Sequence, residues 1–133
     1  GGPSSGIFPP SMMDTPIKSG MIHESGVMLG AGGIIALDER TGVVETIRGL
    51  AAYNSDESCG KCTPCREGTP RLVHILDKLM TGNGSLADLE NLSALANIVN
   101  TASLCGLGQA AGNPITSGLY FFQDEFSLMV ETK

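Results

Sequence analysis

The chain has 133 residues, of which 41% are hydrophobic and 17% are charged, and its net charge is -6. This composition is typical of a folded domain with its own core, and no basic patch is present that could neutralise nucleic-acid phosphates. No apolar run approaches the roughly 20 residues of a membrane-spanning helix, so we expect no direct membrane insertion and any membrane association to come through partner subunits.

Residues 1–41 are rich in Gly, Pro and Ser and contain one run with the composition of a strand. This run, Gly33–Asp38, is apolar on both faces and ends in a charged turn. The glycines just before it, within Gly26–Gly33, lack the spacing of a dinucleotide-binding fingerprint and precede the predicted strand instead of following it. We therefore predict a small β segment over residues 1–41, with a boundary near Thr41-Gly42.

Residues 42–133 have the apolar periodicity of helices, and the pattern predicts a four-helix bundle. The fold class expected for the whole chain is therefore mostly α, with a short β segment in front. Four stripes of apolar residues carry this prediction: Val43, Ile47 and Leu50 or Ala51; Leu72, Ile75, Leu76 and Leu79; Leu89, Leu92, Ala96 and Val99; Ile115, Leu119, Phe122, Phe126 and Met129.

The ends of these helices are also marked in the sequence. Helix starts are predicted where proline or a capping box occurs, at Thr63-Pro64, at Ser85 with Asp88, and at Asn113-Pro114. Gly82 and Gly106 are predicted helix stops. Pro70 would remove a backbone hydrogen bond from the second helix, so a restart of that helix is expected at Thr69-Pro70.

The four cysteines are the most informative residues of the chain. Cys59, Cys62 and Cys65 lie in one short segment before and at the start of the second predicted helix, and Cys105 follows the third. Four thiolates, one for each iron, are the ligand set of a 4Fe-4S cluster. The sequence therefore predicts that Cys59, Cys62, Cys65 and Cys105 bind such a cluster, with the helical bundle bringing the fourth cysteine to the other three.

Other uses of these cysteines fit the spacing less well. A structural zinc site takes four thiolates, but usually as two separated pairs, so a zinc domain with four cysteine ligands remains the alternative. Four cysteines in 133 residues are too few for a disulfide scaffold. A thioredoxin-like redox pair would leave Cys65 and Cys105 without a role.

The segments around the cysteines, Glu57–Thr69 and Ala102–Gln109, resemble the cluster-binding end of the NADH-binding flavoprotein subunit of respiratory complex I. They are also similar to the diaphorase-type subunits of NAD-linked hydrogenases and formate dehydrogenases. Weaker matches in the same order are Gly1–Gly6, Leu29–Gly33 and Phe122–Phe126. The resemblance implies that residues 1–41 are part of a β-grasp (ubiquitin-like) unit and that residues 42–133 are the cluster-binding helical domain.

The resemblance further implies an electron-transfer module of an NADH:acceptor oxidoreductase that relays single electrons through one cluster. FMN and NADH are expected on an upstream domain or a partner chain, because this chain has no site for them, and no catalytic residue is expected here. Expected partners are the components of a multi-subunit redox complex, including the flavin-binding region and a ferredoxin-like iron–sulfur protein. We therefore expect a cytoplasmic location, or a peripheral one on the inner face of a membrane complex. A non-conducting docking scaffold is a further alternative.

Overall fold

The computed structural model describes residues 2–16, 18, 20 and 27–131, and the described part is mostly helical. Within these described residues, a short 3-10 turn at Pro10–Met12 is followed by six α-helices. Their bounds are α1 Val43–Asp56, α2 Thr63–Met80, α3 Leu86–Ala102, α4 Gly106–Ala110, α5 Asn113–Phe121 and α6 Gln123–Glu131. None of the helices in the described ranges is long and apolar enough to cross a membrane.

The core lies between the helices, and the predicted apolar stripes form it. α1 packs against α2, α2 packs against α3, and α5 contacts both α1 and α3. The buried side chains come from every long helix: Val44, Ile47, Ala51, Leu72, Leu76, Leu79, Leu92, Ala96, Val99, Ile115 and Phe126. Burial of this apolar surface stabilises the bundle, and the helical periodicity of the sequence is its direct cause.

The predicted fourth helix is two helices in the structure. α5 ends at Phe121, and Phe122 leaves the helical conformation with φ −128° and ψ 40°. The break lets α6 turn onto α1 and α2, whereas α5 packs on α1 and α3. Apolar periodicity alone could not show this break, because residues on both sides of it face the core.

Two further predictions about helix ends were wrong. α2 runs without interruption through Pro70, which is exposed, while its neighbours Gly68, Thr69 and Leu72 are buried. Packing on both sides of the proline outweighs the loss of one backbone hydrogen bond. Gly106 is not a stop but the first residue of the short helix α4.

The remaining end signals were correct. Ser85 accepts a hydrogen bond from the Asp88 N–H while Asp88 accepts one from the Ser85 N–H, which is a complete capping box. Gly82 follows α2 with φ +72°, the left-handed conformation that glycine adopts without strain. α2 and α5 begin at Thr63-Pro64 and Asn113-Pro114, as predicted.

The predicted strand at Gly33–Asp38 does not form among the described residues. Ile34 and Ile35 are 69% and 53% exposed, and residues 33–38 have no ladder of backbone hydrogen bonds to a neighbouring strand. A strand needs such a partner to satisfy its N–H and C=O groups, and no described segment supplies one. The strand prediction was therefore wrong for the described residues, because apolar composition does not show whether a second strand is present to pair with.

The N-terminal residues are held against the bundle by side-chain hydrogen bonds. The Ser117 hydroxyl accepts from the Ile7 N–H at 2.9 Å, and Asn113 donates to the Ser4 carbonyl at 2.8 Å. Asn54 of α1 donates to the Pro3 carbonyl, also at 2.8 Å. Ile7 is part of the core, so residues 3–7 form a connection fixed to α1 and α5.

Candidate metal centre

Three of the four cysteines lie at the junction of α1 and α2. α1 ends at Asp56, and the chain turns through Gly60, whose φ of +72° is in the left-handed region. The Arg66 guanidinium holds this turn by donating to the Gly60 carbonyl at 3.0 Å. Cys59 and Cys62 therefore lie in a short loop that is tied back to the first turn of α2.

Cys62 and Cys65 belong to the N-terminal end of α2. Cys62 is the N-cap residue and Cys65 lies in the first turn, after Pro64. The N–H groups of a helix N-terminus have no partners inside the helix, and the helix dipole favours negative charge there. This end of α2 is thus suited to thiolate side chains and to an anionic group bound by them.

Cys105 reaches the same region from the end of α3. α3 ends at Ala102, and residues 103–105 connect it to α4, with Cys105 as the N-cap residue of α4. Gln109 fixes the connection by donating from Nε2 to the Ser103 carbonyl at 3.1 Å. Contacts between this connection and the start of α2 decide whether Cys105 lies near the loop, as the sequence predicts.

The two cysteine-bearing segments are in direct contact. A Cβ placed on Gly108 of α4 would lie 2.4 Å from the Cβ and Oγ of Ser103 and 3.2 Å from the Cβ of Cys65. Hydrogen bonds from the backbone N–H of Leu104, and then of Cys65, lower the pKa of the Cys62 thiol. The 103–105 connection is therefore adjacent to both Cys62 and Cys65.

The four thiols differ in exposure, and all are free. Cys65 is buried, Cys62 is half-buried, and Cys59 and Cys105 are exposed. No disulfide joins any of them. The centre they outline thus lies at the surface of the bundle, with Cys65 on its inner side.

The donor set suits a cluster with one thiolate per iron. Among the described residues, no three His, Cys, Asp or Glu side chains converge closely enough to hold one metal ion. A 4Fe-4S cluster distributes its ligands over four irons, so its thiolates surround the cluster instead of meeting at one point. Four free thiols on two adjoining segments, with a lowered pKa at Cys62, fit such a group.

Other candidate residues near the loop do not join the thiols. Glu67 is exposed and paired with Arg66 at 2.9 Å, and Lys61 is exposed. His74 lies on the exposed side of α2, and His23 lies outside the described residues. The four cysteines therefore remain the candidate ligands of this region.

Comparison with known proteins gives the family of the chain. The family model described as the NADH-ubiquinone oxidoreductase-F iron-sulfur binding region matches residues 45–129. The chain belongs to this family. The family assignment confirms the resemblance seen in the cysteine segments, because the matching family model describes the iron-sulfur binding region of an NADH-ubiquinone oxidoreductase subunit.

Similar curated proteins are components of redox enzymes. The chain is 38% identical over 133 residues to HndC, a subunit of the NADP-reducing hydrogenase of Solidesulfovibrio fructosivorans, covering 100% of this chain and 27% of that protein. It is 39% identical over 126 residues to a subunit of the NADH-quinone oxidoreductase of Streptomyces coelicolor, covering 95% of this chain and 28% of that protein. The chain thus spans less than a third of the length of these relatives.

Solved structures show the same fold. An NAD+-reducing [NiFe]-hydrogenase in the air-oxidised state matches 97% of this chain and 22% of its own with a TM-score of 0.74 and 26% identity. The H2-reduced state of an NAD+-reducing [NiFe]-hydrogenase matches 73% of this chain and 17% of its own, with a TM-score of 0.69 and 32% identity. Part of these hydrogenase chains therefore shares the mostly helical architecture of this chain.

Three residues of the site were missed by reading the sequence. Ser58, Ser103 and Gly108 lie against the cysteines, and none was singled out as a site residue beforehand. Their position one to three residues from a cysteine was the only available signal. Such proximity in sequence does not show which side chains point toward the thiols.

Proposed function

We propose that Cys59, Cys62, Cys65 and Cys105 together hold one 4Fe-4S cluster and that the chain relays single electrons within an NADH:acceptor oxidoreductase. The observation that carries this proposal is the contact between the α2 N-terminus and the 103–105 connection, where Gly108 packs against both Ser103 and Cys65. When bound, a cluster of this type accepts and donates one electron at a time, whereas a flavin takes up two electrons from NADH together.

The residues of this chain supply position and environment. Cys62 and Cys65 are fixed by the first turn of α2, and Cys105 is fixed by the link from α3 to α4. Cys59 and Cys105 are exposed, and Leu104 beside the latter is 72% exposed. A centre at the surface is accessible to electron carriers on a neighbouring domain or subunit.

The relatives are named as subunits of NADH-quinone oxidoreductase and of an NADP-reducing hydrogenase, which supports a multi-subunit context in which we propose two partners. One partner is the region that binds flavin and NADH, and the other is a ferredoxin-like iron–sulfur protein. We place the module in a reducing interior, in the cytoplasm or peripherally on the inner face of a membrane complex, because free thiols and iron–sulfur centres persist there.

We also propose that residues 1–41 belong to a β-grasp-like unit and residues 42–133 to the cluster domain. The β-branched run at Ile34 and Ile35 is largely exposed, and pairing with strands from another part of the native assembly would bury it. Amide hydrogen exchange over residues 33–38 tests this idea. Protection is expected in the native assembly, and equally fast exchange there and in this chain alone would contradict it.

The cluster proposal is tested by composition. Anaerobically purified protein should contain about four irons and four sulfides per chain and lose its visible absorption on reduction. One zinc per chain and no colour would show the alternative, a structural zinc domain with four cysteine ligands. Serine in place of any one of the four cysteines should lower iron content, because the sequence has no fifth cysteine to substitute.

Electron relay is tested separately from cluster binding. In the complete enzyme, Cys105→Ser should abolish NADH-driven reduction of the natural acceptor while preserving reduction of an artificial acceptor that takes electrons directly from the flavin. Equal loss of both activities would mean that the change damages the flavin region. Full activity with the natural acceptor, in protein that has lost its cluster, would show a docking scaffold that does not conduct.

A further inference from the structure

Ser58 lies beside the buried cysteine of the proposed cluster site. Its Oγ is 3.2 Å from the Sγ of Cys65, and the Gly60 N–H donates to the same Oγ at 3.4 Å. A thiolate sulfur has no proton and can only accept a hydrogen bond. When Cys65 is a thiolate, as a cluster ligand must be, the Ser58 hydroxyl is therefore the donor of this hydrogen bond.

Ser103 lies on the other side of the same region and has a buried hydroxyl. The residue is only 5% exposed, and its Oγ has no hydrogen-bond partner of normal geometry among the described residues. Gly108 packs closely against this hydroxyl, because a Cβ at Gly108 would lie 2.4 Å from the Ser103 Oγ. A buried hydroxyl that is left unpaired destabilises the fold, so a partner is expected in the complete site.

The neighbours of Ser103 indicate what this partner is. Ser103 lies two residues before Cys105, in the connection that adjoins the start of α2. Cys65 is the second neighbour, through the shared contact with Gly108. Ser103 therefore lies close to two of the proposed ligands, to Cys65 in space and to Cys105 in sequence.

We propose that the hydroxyls of Ser58 and Ser103 donate hydrogen bonds to the sulfur atoms of the bound cluster or of its cysteine ligands and raise its reduction potential. This inference rests on the proposed cluster site. Reduction adds one negative charge to the centre, and hydrogen-bond donors stabilise the more negative state. Each hydroxyl proton stays on its oxygen, so neither serine transfers a proton when the electron arrives.

The two serines are positioning residues, and the reduction potential is the property that distinguishes this role from simple packing. Ser58→Ala and Ser103→Ala each remove one hydroxyl and leave the rest of the packing in place. Ser58→Thr keeps a hydroxyl at the same position. Ser93→Ala is the matched control, because Ser93 lies on α3 about 14 Å before its C-terminal end, as judged from the helical rise.

The experiment is an anaerobic redox titration of the full polypeptide with its cluster, followed by electron paramagnetic resonance. Each alanine variant should lower the midpoint potential of the cluster. The expected size is roughly a two- to tenfold change in the equilibrium constant for reduction, and a tenfold change corresponds to 59 mV for one electron. Ser58→Thr should stay near the parent value, and Ser93→Ala should not change it.

The outcomes separate this inference from the proposed function. If the parent protein contains no four-iron cluster, the proposed function fails first and this inference fails with it. If the cluster is intact and both alanine variants keep the parent potential, the serine inference is wrong while the cluster assignment stands. A shift of the same size in Ser93→Ala would also overturn it, because the effect would not depend on contact with sulfur.

A second measurement covers the case in which the alanine variants lose their iron. Iron–sulfur stretching frequencies of the parent protein are compared by resonance Raman spectroscopy in H2O and D2O. A hydrogen bond from an exchangeable hydroxyl to sulfur should shift these frequencies, and Ser58→Thr should retain the shift. Identical spectra in the two solvents would overturn the proposal without any further variant.

Discussion

Gly108 of α4 lies directly against Cys65 of α2, so that a Cβ at Gly108 would come within 3.2 Å of the Cys65 Cβ. The same Cβ would lie 2.4 Å from Ser103, far inside normal van der Waals separation. The lack of a side chain at this one position lets the end of α3 and the start of α2 meet. The relative placement of the proposed ligands depends on that contact.

We therefore expect Gly108→Ala to impair cluster binding. The added methyl group has to displace Ser103 or Cys65, at a cost of about 1–3 kcal/mol for overpacking a close-packed site. Iron and sulfide per chain should fall clearly below the parent values. Gly106→Ala is the matched control, because its Cβ would meet no atom within 4 Å. Parent-like iron content in Gly108→Ala would contradict this account of the site.

The contact of α2 with α3 depends on a second glycine. A Cβ on Gly68 would lie 2.3 Å from Cγ2 of Val99, whose side chain is fully buried. Gly68→Ala should lower the free energy of unfolding by about 1–3 kcal/mol, measured by urea denaturation. Val99→Ala removes the clashing methyl groups, so the double variant should be more stable than the sum of the two single changes predicts.

The control for this prediction is Gly49→Ala on α1. Gly49 is exposed and its Cβ would meet nothing within 4 Å, so alanine brings only its better helix propensity. We expect stabilisation of about 0.5–1 kcal/mol. Stabilisation of similar size in Gly68→Ala would show that propensity, not packing against Val99, dominates there.

The helices of the core could be predicted from the sequence because their signals are local. Apolar periodicity gave α1, α2 and α3, and the Ser85–Asp88 capping box gave the start of α3. The break at Phe122 and the continuity of α2 through Pro70 could not be predicted in this way. Both depend on which neighbouring helix a segment packs against, and periodicity contains no information about that.

The candidate site could likewise be predicted only in part from the sequence. The spacing of the cysteines predicted a cluster and the family assignment agrees, while the choice of Cys59, Cys62, Cys65 and Cys105 as its ligands remains a prediction. The contacts of Ser58, Ser103 and Gly108 with these thiols depend on the tertiary structure. The contact of Gly108 with Cys65 joins segments that lie far apart in the chain, and the contact of Ser58 with Cys65 depends on how the loop folds back on α2, so no periodicity in the sequence could reveal either.

The ion pair between Arg48 and Asp77 joins α1 to α2 and should make stability depend on pH. The Arg48 guanidinium donates to both carboxylate oxygens, at 2.8 and 3.2 Å, and this hydrogen bonding lowers the pKa of Asp77 below its ordinary 3.8. A lowered pKa in the folded state stabilises the fold above about pH 4, and the contribution is lost as the pH falls through the folded-state pKa.

The variant Asp77→Asn tests this dependence. At pH 7 its urea midpoint should be slightly below that of the parent, because both side chains of the pair are partly exposed, 38% for Arg48 and 47% for Asp77. The difference should shrink at pH 3 and in high salt, where protonation or screening removes the attraction. A difference that persists unchanged at pH 3 would mean that the pair does not stabilise the fold through its charge.

The start of α3 offers a further test, at a place distant in sequence from the cysteines. Ser85 accepts from the Asp88 N–H, and Asp88 in turn accepts from Lys78 at 2.7 Å, so the cap also links α3 to the end of α2. Ser85→Ala should lower the free energy of unfolding by about 1 kcal/mol, whereas Ser85→Gly should lower it by only a few tenths. Iron content should not change in either variant. Equal destabilisation by alanine and glycine would show that the loss of side-chain packing, and not of the cap, is responsible.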